Sequence, residues 1–136
     1  MGILTLHLDT NLLIDLITAR SPHIAVIRGW LADGEKLGAS SIAWSEFCNG
    51  PLTIDQKDAV FAIVEHRVSE FTWQQAEDAS RLFHRTGRRR GSHADCMIAA
   101  AAIGAGVPVA TRNVKDFDRF VPFGLKLRAV ATIPSA

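Results

Sequence analysis

Short apolar runs alternate with longer amphipathic segments along the whole chain. The first run, residues 3–8, is typical of a strand buried on both faces, where His7 is expected to be a hydrogen-bonded core residue. Further strands are predicted at 36–41, 68–71, 107–111 and 125–130. Helices are predicted between them at 10–18, 22–33, 42–49, 53–66, 72–87, 94–105 and 114–120. Strands that alternate with helices predict an α/β fold, with a central parallel sheet covered by helices on both faces.

Polar residues and glycines mark where several of these helices begin and end. The Ser-Pro pair at 21–22 is typical of a helix start with Ser as the N-cap, and the Asp-Gly pair at 33–34 is typical of a helix end. Thr53 and Thr72 each precede a glutamine by three residues, which predicts a capping box at both positions. Ser92 is predicted to cap the next helix, which is apolar nearly all round and should therefore be buried.

Size and composition limit the classes of protein that the chain can represent. Its 136 residues, 48% of them hydrophobic, predict one globular domain over residues 1–136. Fifteen basic and 14 acidic side chains give a net charge of +1, so a nucleic-acid-binding surface must come from local clustering. Cys48 and Cys96 lack the spacing of a zinc site. No apolar run reaches the roughly 20 residues of a membrane span, and the sequence predicts a soluble cytoplasmic protein.

Several acidic side chains are predicted to meet at one edge of the sheet. Asp9 directly follows the first strand, and Asp116 comes a few residues after the strand 107–111. Because the carboxyl ends of parallel strands lie at the same edge, we expect these two groups to share a crevice. Asp95 lies in the first turn of the buried helix, where apolar neighbours on the same face turn it inward. Glu46 lies on a helix that also follows a strand.

Carboxylates that share a cleft raise one another's pKa, and a divalent cation relieves their repulsion. Mg²⁺ and Mn²⁺ prefer oxygen ligands, and such a site suits hydrolysis of a phosphodiester. Each acid also has an ordinary structural explanation. Asp9 has the position of a helix N-cap, and Asp95 that of a capping partner for Ser92. Asp116 has the position of a turn residue, and Glu46 that of a solvated helix residue, so the single residues leave both explanations open.

Four short motifs that contain these acids occur in order along the chain. They are Leu8-Asp9-Thr10-Asn11, Ser45-Glu46-Phe47, Ala94-Asp95-Cys96-Met97-Ile98-Ala99-Ala100 and Thr111-Arg112-Asn113-Val114-Lys115-Asp116-Phe117. Their order and spacing resemble the successive motifs of PIN-domain proteins, especially the VapC-type and FitB-type toxins of prokaryotic toxin–antitoxin pairs. The resemblance extends from residue 8 to about residue 121. It departs from the usual pattern at residues 87–93, where many relatives carry a glycine-aliphatic segment and this chain carries three arginines.

The resemblance implies a three-layer α/β/α fold and an endoribonuclease that depends on Mg²⁺ or Mn²⁺. It assigns the catalytic and metal-binding roles to four acids, which we call the quartet: Asp9, Glu46, Asp95 and Asp116. It assigns supporting polar roles to Thr10, Asn11, Thr111 and Asn113. It also implies a homodimer and inhibition by a cognate antitoxin of the VapB or FitA type, encoded beside the toxin.

Arginine is concentrated just before Asp95, at Arg85, Arg88, Arg89 and Arg90. A solvated charged surface is one explanation of such a run. Contact with an RNA backbone is the other, and the position beside the predicted metal cleft favours it. Such contacts position RNA without selecting bases, and they weaken steeply with salt.

Two other functions are consistent with parts of this pattern. A binding module without catalytic activity would bind RNA or an antitoxin, but the presence of all four acids favours an enzyme. A phosphatase of the haloacid-dehalogenase type needs an Asp-x-Asp pair, whereas Asp9 is followed by Thr10 and Asn11. A requirement for Mg²⁺ or Mn²⁺ in RNA cleavage would distinguish the nuclease from the binding module.

Overall fold

The central sheet is parallel throughout, as the alternation of strands and helices predicts. The computed structural model describes residues 4–131. The strands are β1 (Leu6–Leu8), β2 (Leu37–Ser40), β3 (Val68–Ser69), β4 (Val109–Thr111) and β5 (Leu127–Ala129). They form one five-stranded sheet in the order β3-β2-β1-β4-β5, and each neighbouring pair is parallel. The strands are shorter than predicted, because the outer described residues of each apolar run lie in the connecting segments; residue 3, where the first strand was predicted to begin, lies outside the described residues.

Seven α-helices and one 3₁₀ helix accompany the sheet in the described residues, giving the expected three-layer α/β/α arrangement. They are α1 (Thr10–Asp15), α2 (Ile24–Ala32), α3 (Ser41–Asn49), α4 (Ile54–Ile63), α5 (Trp73–Arg85), α6 (His93–Ala105), α7 (Val114–Phe117) and the 3₁₀ helix (Asp118–Phe123). Within residues 4–131, no helix has the length and apolar character that crossing a membrane requires.

Local sequence signals set several helix ends correctly. Thr53 and Thr72 both form complete capping boxes, in which the threonine hydroxyl accepts from the third helical N–H and the glutamine side chain accepts from the cap N–H. The predicted end near residues 33–34 is also confirmed, with Gly34 in the left-handed conformation at φ +88°. These signals work because their partners lie within one helical turn.

Two capping predictions are wrong. Ser21 is not the N-cap of α2, which begins at Ile24, because its hydroxyl donates to Asp15 Oδ1 at 3.1 Å. The helix α1 ends at Asp15, three residues before the predicted end at residue 18, and the Asp15 side chain is buried. Ser92 occupies the N-cap position of α6 but makes no capping bond, since its hydroxyl donates to the carbonyl of Arg89 at 2.7 Å.

The core is centred on β1 and α6. Leu6 and Leu8 are buried, and so are most residues of α6 from 96 to 102, as the apolar character of that helix predicts. His7 is also buried, but neither ring nitrogen has a hydrogen-bond partner in residues 4–131, which contradicts the expected hydrogen-bonded core position. Burial lowers the pKa of His7 to about 4, so the ring is neutral in the folded protein at pH 7.

Candidate active site

The crevice between β1 and β4 lies where the order of strands reverses. From β1 the chain builds the sheet outward through β2 and β3, and then returns to place β4 and β5 on the other side. In open parallel sheets, ligand sites form at this reversal, beyond the carboxyl ends of the strands. His7 pairs with Val109 and Leu8 with Ala110, so the residues that follow, Asp9 and Thr111, meet at this edge.

Asp9 is fixed by hydrogen bonds from both sides of the crevice. Its Oδ2 accepts from the Thr111 hydroxyl at 2.7 Å, and its Oδ1 accepts from the backbone N–H of Thr10 at 2.8 Å. Asp9 therefore has both of the roles that the sequence left open: it is the N-cap of α1, and its carboxylate lies in the acidic cleft. Burial raises the pKa of Asp9, and the charges of Glu46 and Asp116 raise it further, against these two hydrogen bonds. This carboxylate is held rigidly in a crowded acidic environment.

Glu46 reaches the site from α3, which begins directly after β2. The Ser40 hydroxyl caps this helix by accepting from the N–H of Ala43 at 3.1 Å. Glu46 is exposed, as its structural explanation predicts, but the Thr10 hydroxyl donates to its Oε1 at 2.8 Å. Thr10 therefore connects the first two acids, through its N–H to Asp9 and through its hydroxyl to Glu46.

Asp95 lies in the first turn of α6, with 28% of its side chain exposed. Burial raises its pKa to about 6, and the charges of Asp9, Asp116 and Glu46 contribute in the same direction, while Arg119 lowers it. The electrostatic coupling to all three other acids places Asp95 within the same cleft. No hydrogen bond in the described residues joins it to Ser92, so the capping-pair explanation is not supported.

The segment after β4 positions Asp116. Its Oδ2 accepts from the side-chain amide of Asn113 at 2.7 Å, and the N–H of Asn113 donates to the Thr111 hydroxyl at 2.9 Å. Asn11 donates to the same hydroxyl at 3.4 Å. Thr111 therefore links the polar residues of the first and last motifs, and the four supporting residues predicted from the sequence all make contacts at the site.

The predicted arginines differ in how they approach the site. All four are exposed, and Arg89 forms an ion pair with Asp116, with 3.7 Å between Nη2 and Oδ1. Arg88 donates to His84 Nδ1 at 3.0 Å, and the guanidinium of Arg85 lies over the ring of Phe123 at 5.9 Å. The cluster is thus a solvated surface, and Arg89 connects it to the cleft.

Sequence reasoning missed two arginines that contact acidic residues. Arg119 Nη2 lies 3.9 Å from Asp95 Oδ2, and Arg112 Nε donates to the buried Asp15 at 2.9 Å. For Arg119, a signal exists in the sequence, since it follows Asp116 by three residues in a helical segment and so shares its side. Arg112 carries no comparable signal, because Asp15 is 97 positions away.

The oxygen donors of the site suit a hard cation, although they are not already arranged as a complete set of metal ligands. Across residues 4–131, no three His, Cys, Asp or Glu side chains are grouped closely enough to hold a metal ion. The four acids offer oxygen donors, however, and burial together with the charges of the three other acids raises the pKa of Asp95, a repulsion that a cation would relieve. Mg²⁺ commonly takes one or two protein carboxylates and completes its shell with water and substrate phosphate, so the donors present are sufficient.

Coupled carboxylates therefore lie at the reversal point of a parallel α/β sheet. The sequence profile of the PIN domain matches residues 6–121. The chain therefore belongs to the PIN domain family, a family of nucleases, and the resemblance of the four motifs is confirmed at this level. No curated protein sequence matches the chain.

Solved structures with the same fold include three complexes. VapBC2 from Rickettsia felis, bound to a promoter DNA fragment, is 22% identical with a TM-score of 0.71, over 93% of this chain and 99% of that chain. DNA-bound VapBC from Salmonella typhimurium is 28% identical with a TM-score of 0.66, over 93% and 98%. A toxin-antitoxin complex from Klebsiella pneumoniae is 25% identical with a TM-score of 0.65, over 83% and 89%.

Proposed function

We propose that the chain is the toxin of a toxin–antitoxin pair and that it hydrolyses RNA phosphodiester bonds with Mg²⁺ or Mn²⁺. The observation that carries this proposal is the convergence of the quartet in one cleft, where burial and the charges of the three other acids together raise the pKa of Asp95 to about 6. Strongly perturbed carboxylates in a cleft are typical of functional sites, because such an arrangement is unfavourable without a ligand. Membership of the PIN domain family supports the same conclusion.

Each acid has a separate role in the proposed reaction. Asp9, held by Thr111, and Asp95 are the principal metal ligands, and Asp116 holds the ion directly or through water. Glu46 serves a second metal position or orients the attacking water, with Thr10 fixing its carboxylate. A divalent ion here would supply positive charge to the transferring phosphate and make a water molecule more acidic. The protein itself forms no covalent bond with the RNA.

The basic surface beside the cleft is proposed to hold the RNA backbone. Arg85, Arg88, Arg89 and Arg90 are exposed and follow one another around the end of α5. Arg89 also lies close enough to Asp116 to bring a phosphate to the acidic edge. Such contacts supply affinity through charge and leave base selection to other features of the site.

Cleavage by the purified protein tests this function. We expect RNA cleavage with Mg²⁺ or Mn²⁺, none with EDTA, and loss of activity in Asp9→Ala and Asp95→Asn variants that remain folded. Asp118→Asn is the matched control, because Asp118 is exposed and lies two residues beyond Asp116, outside the quartet. Wild-type cleavage rates in either quartet variant would refute the role of that residue, and metal-independent cleavage would refute the mechanism.

The partner is proposed to be a small antitoxin of the VapB or FitA type, with the toxin acting in the cytoplasm as a homodimer. The structures with the same fold support this proposal, since they include VapBC assemblies and a complex described as toxin-antitoxin. Co-expression with the neighbouring gene should yield a stable complex that no longer cleaves RNA. Light scattering of the isolated chain should give twice its mass of 14.8 kDa, and a monomer would refute the dimer.

A further inference from the structure

Arg119 carries a buried positive charge next to the quartet. It belongs to the 3₁₀ helix, and only 16% of its side chain is exposed. Its guanidinium lies over the ring of the fully buried Phe120, with 4.6 Å between the Cζ atom and the ring centroid. Its three side-chain nitrogens are shielded from solvent and make no hydrogen bond within residues 4–131. Burying a guanidinium in this way is unfavourable unless an opposite charge lies close by.

The opposite charge is supplied by Asp95, whose Oδ2 lies 3.9 Å from Nη2 of Arg119. Arginine stays protonated at every physiological pH, so the charge of Arg119 is permanent. Arg89 provides a second cation at Asp116, but 59% of its side chain is exposed and its effect is therefore screened by water.

We propose that Arg119 is a built-in counter-ion of the quartet, which positions Asp95 and allows four carboxylates to share the cleft before a divalent ion is bound. This inference rests on the proposed function of the quartet as a metal site. Because the same positive charge repels an incoming cation, Arg119 stabilises the metal-free protein and weakens its affinity for the metal. The ion then exchanges readily with solution.

A direct contact with substrate phosphate is a different role, and the burial of the guanidinium disfavours it. The three nitrogens are shielded from solvent, so a phosphate oxygen cannot reach them unless the side chain moves. Arg119 is therefore a positioning residue that acts through Asp95. Its effect should be visible in metal affinity and in stability, in the absence of any RNA.

The test compares Arg119→Met and Arg119→Lys with Arg128→Met as the matched control. Arg128 also forms an ion pair and lies over an aromatic ring, with Glu35 and Trp30 as its partners, but Glu35 precedes β2 and so lies at the opposite edge of the sheet. The measurements are Mn²⁺ affinity by titration calorimetry and thermal unfolding in EDTA. Comparing the three variants in both measurements distinguishes the effect of losing a charge beside the cleft from the effect of losing an arginine elsewhere.

Arg119→Met should bind Mn²⁺ on the order of tenfold more tightly than the wild type, because a positive charge that repels the divalent ion is removed from a solvated cleft. Its unfolding midpoint in EDTA should fall by about 5 °C. Arg119→Lys, which keeps the charge, and the Arg128→Met control should both bind Mn²⁺ within about twofold of the wild type. Unchanged or weaker Mn²⁺ binding by Arg119→Met would overturn the proposal.

A second comparison keeps the inference testable if Arg119→Met folds poorly or the wild type binds no Mn²⁺. In EDTA, the loss of stability caused by Arg119→Met should shrink in an Asp95→Asn background, where the opposing carboxylate is absent. An equal loss in both backgrounds would show that Arg119 acts only by packing on Phe120, and the inference would be wrong. Absence of Mn²⁺ binding by the wild type would instead refute the metal mechanism of the proposed function.

Discussion

Asp95 shows how single residues in the cleft are shaped by long-range contacts. Its position in the first turn of α6, and its inward direction, follow from the apolar residues around it in the sequence. Its pKa of about 6 does not, because that value depends on its burial and on the charges of Asp9, Asp116 and Glu46, which come from three other parts of the chain. Arg119 was missed although it follows Asp116 by three residues, because only the fold shows that it faces Asp95, which is 24 positions away.

The stability of the metal-free protein should depend on the ionisation of Asp95. The unfolded chain releases this proton near pH 3.8, whereas the folded protein retains it up to about pH 6. Between these values the folded state binds more protons, so this contribution to stability is lost as the pH rises. In EDTA, the stability of Asp95→Asn relative to the wild type should therefore rise by on the order of 2 kcal/mol between pH 4 and pH 7.

Urea unfolding of both proteins from pH 4 to pH 7 measures this effect. The stability difference between Asp95→Asn and the wild type should be small near pH 4 and reach its full size above pH 6. Comparison with the wild type is necessary because His7 has the opposite dependence. Its pKa is lowered to about 4, so its contribution is lost as the pH falls below 6.5. A difference that does not change with pH would contradict the assigned pKa of Asp95.

Elements defined by local signals were predicted well, and those that depend on distant partners were not. The capping boxes at Thr53 and Thr72 formed as predicted, since each involves residues within one turn. Ser21 also had a capping pattern, as part of a Ser-Pro pair, but its hydroxyl donates to the buried Asp15 instead of capping α2. The sequence alone does not show whether such a hydroxyl caps its own helix or bonds to a distant residue, because the distant partner is known only from the fold.

The ion pair between Arg112 and Asp15 attaches the segment after β4 to α1. Asp15 is only 5% exposed and also accepts a hydrogen bond from Ser21. Arg112 stands between Thr111 and Asn113, which hold Asp9 and Asp116 respectively. The pair therefore fixes the segment on which half of the quartet depends.

Arg112→Met should lower the free energy of unfolding by about 2 kcal/mol, because it leaves the buried Asp15 carboxylate with weaker partners. Arg112→Lys should restore only part of this, since lysine cannot make the two-pronged contact. Arg81→Met is the matched control, as the pair of Arg81 with Asp78 is exposed and should contribute less than about 1 kcal/mol. Equal losses for Arg112→Met and Arg81→Met in urea unfolding would contradict the importance of the buried pair.

A separate prediction concerns RNA binding by the arginine loop, residues 88–90 between α5 and α6. Arg89→Ala combined with Arg90→Ala should weaken binding to single-stranded RNA in EDTA, where no metal-dependent cleavage is expected. The slope of log affinity against log salt should fall by about 1.4, as expected for two lost phosphate contacts. Arg28→Ala with Lys126→Ala removes the same charge from exposed positions elsewhere and should leave the slope unchanged. Equal slopes for the two double variants would refute a specific role for the loop.

At the scale of the whole molecule, the order of the strands explains why the four motifs act together. The chain leaves β1 in one direction and returns to build β4 and β5 on the other side, which opens the crevice where Asp9 and Thr111 meet. The parallel sheet and its acidic edge were predictable, because both follow from the repeated strand–helix pattern. The engagement of Asp95 and Asp116 by arginines was not, since it depends on how α6, the loop before it and the 3₁₀ helix pack together.

The central claim is that the quartet cuts RNA in the cell. The most direct test maps the 5′ ends of cellular RNA after induction of the wild type and, in parallel, of Asp95→Asn at equal protein levels. New 5′ ends at defined sites should appear with the wild type and be absent with Asp95→Asn, and their positions would identify the RNA target. The same new ends with both proteins, or with neither, would contradict the account.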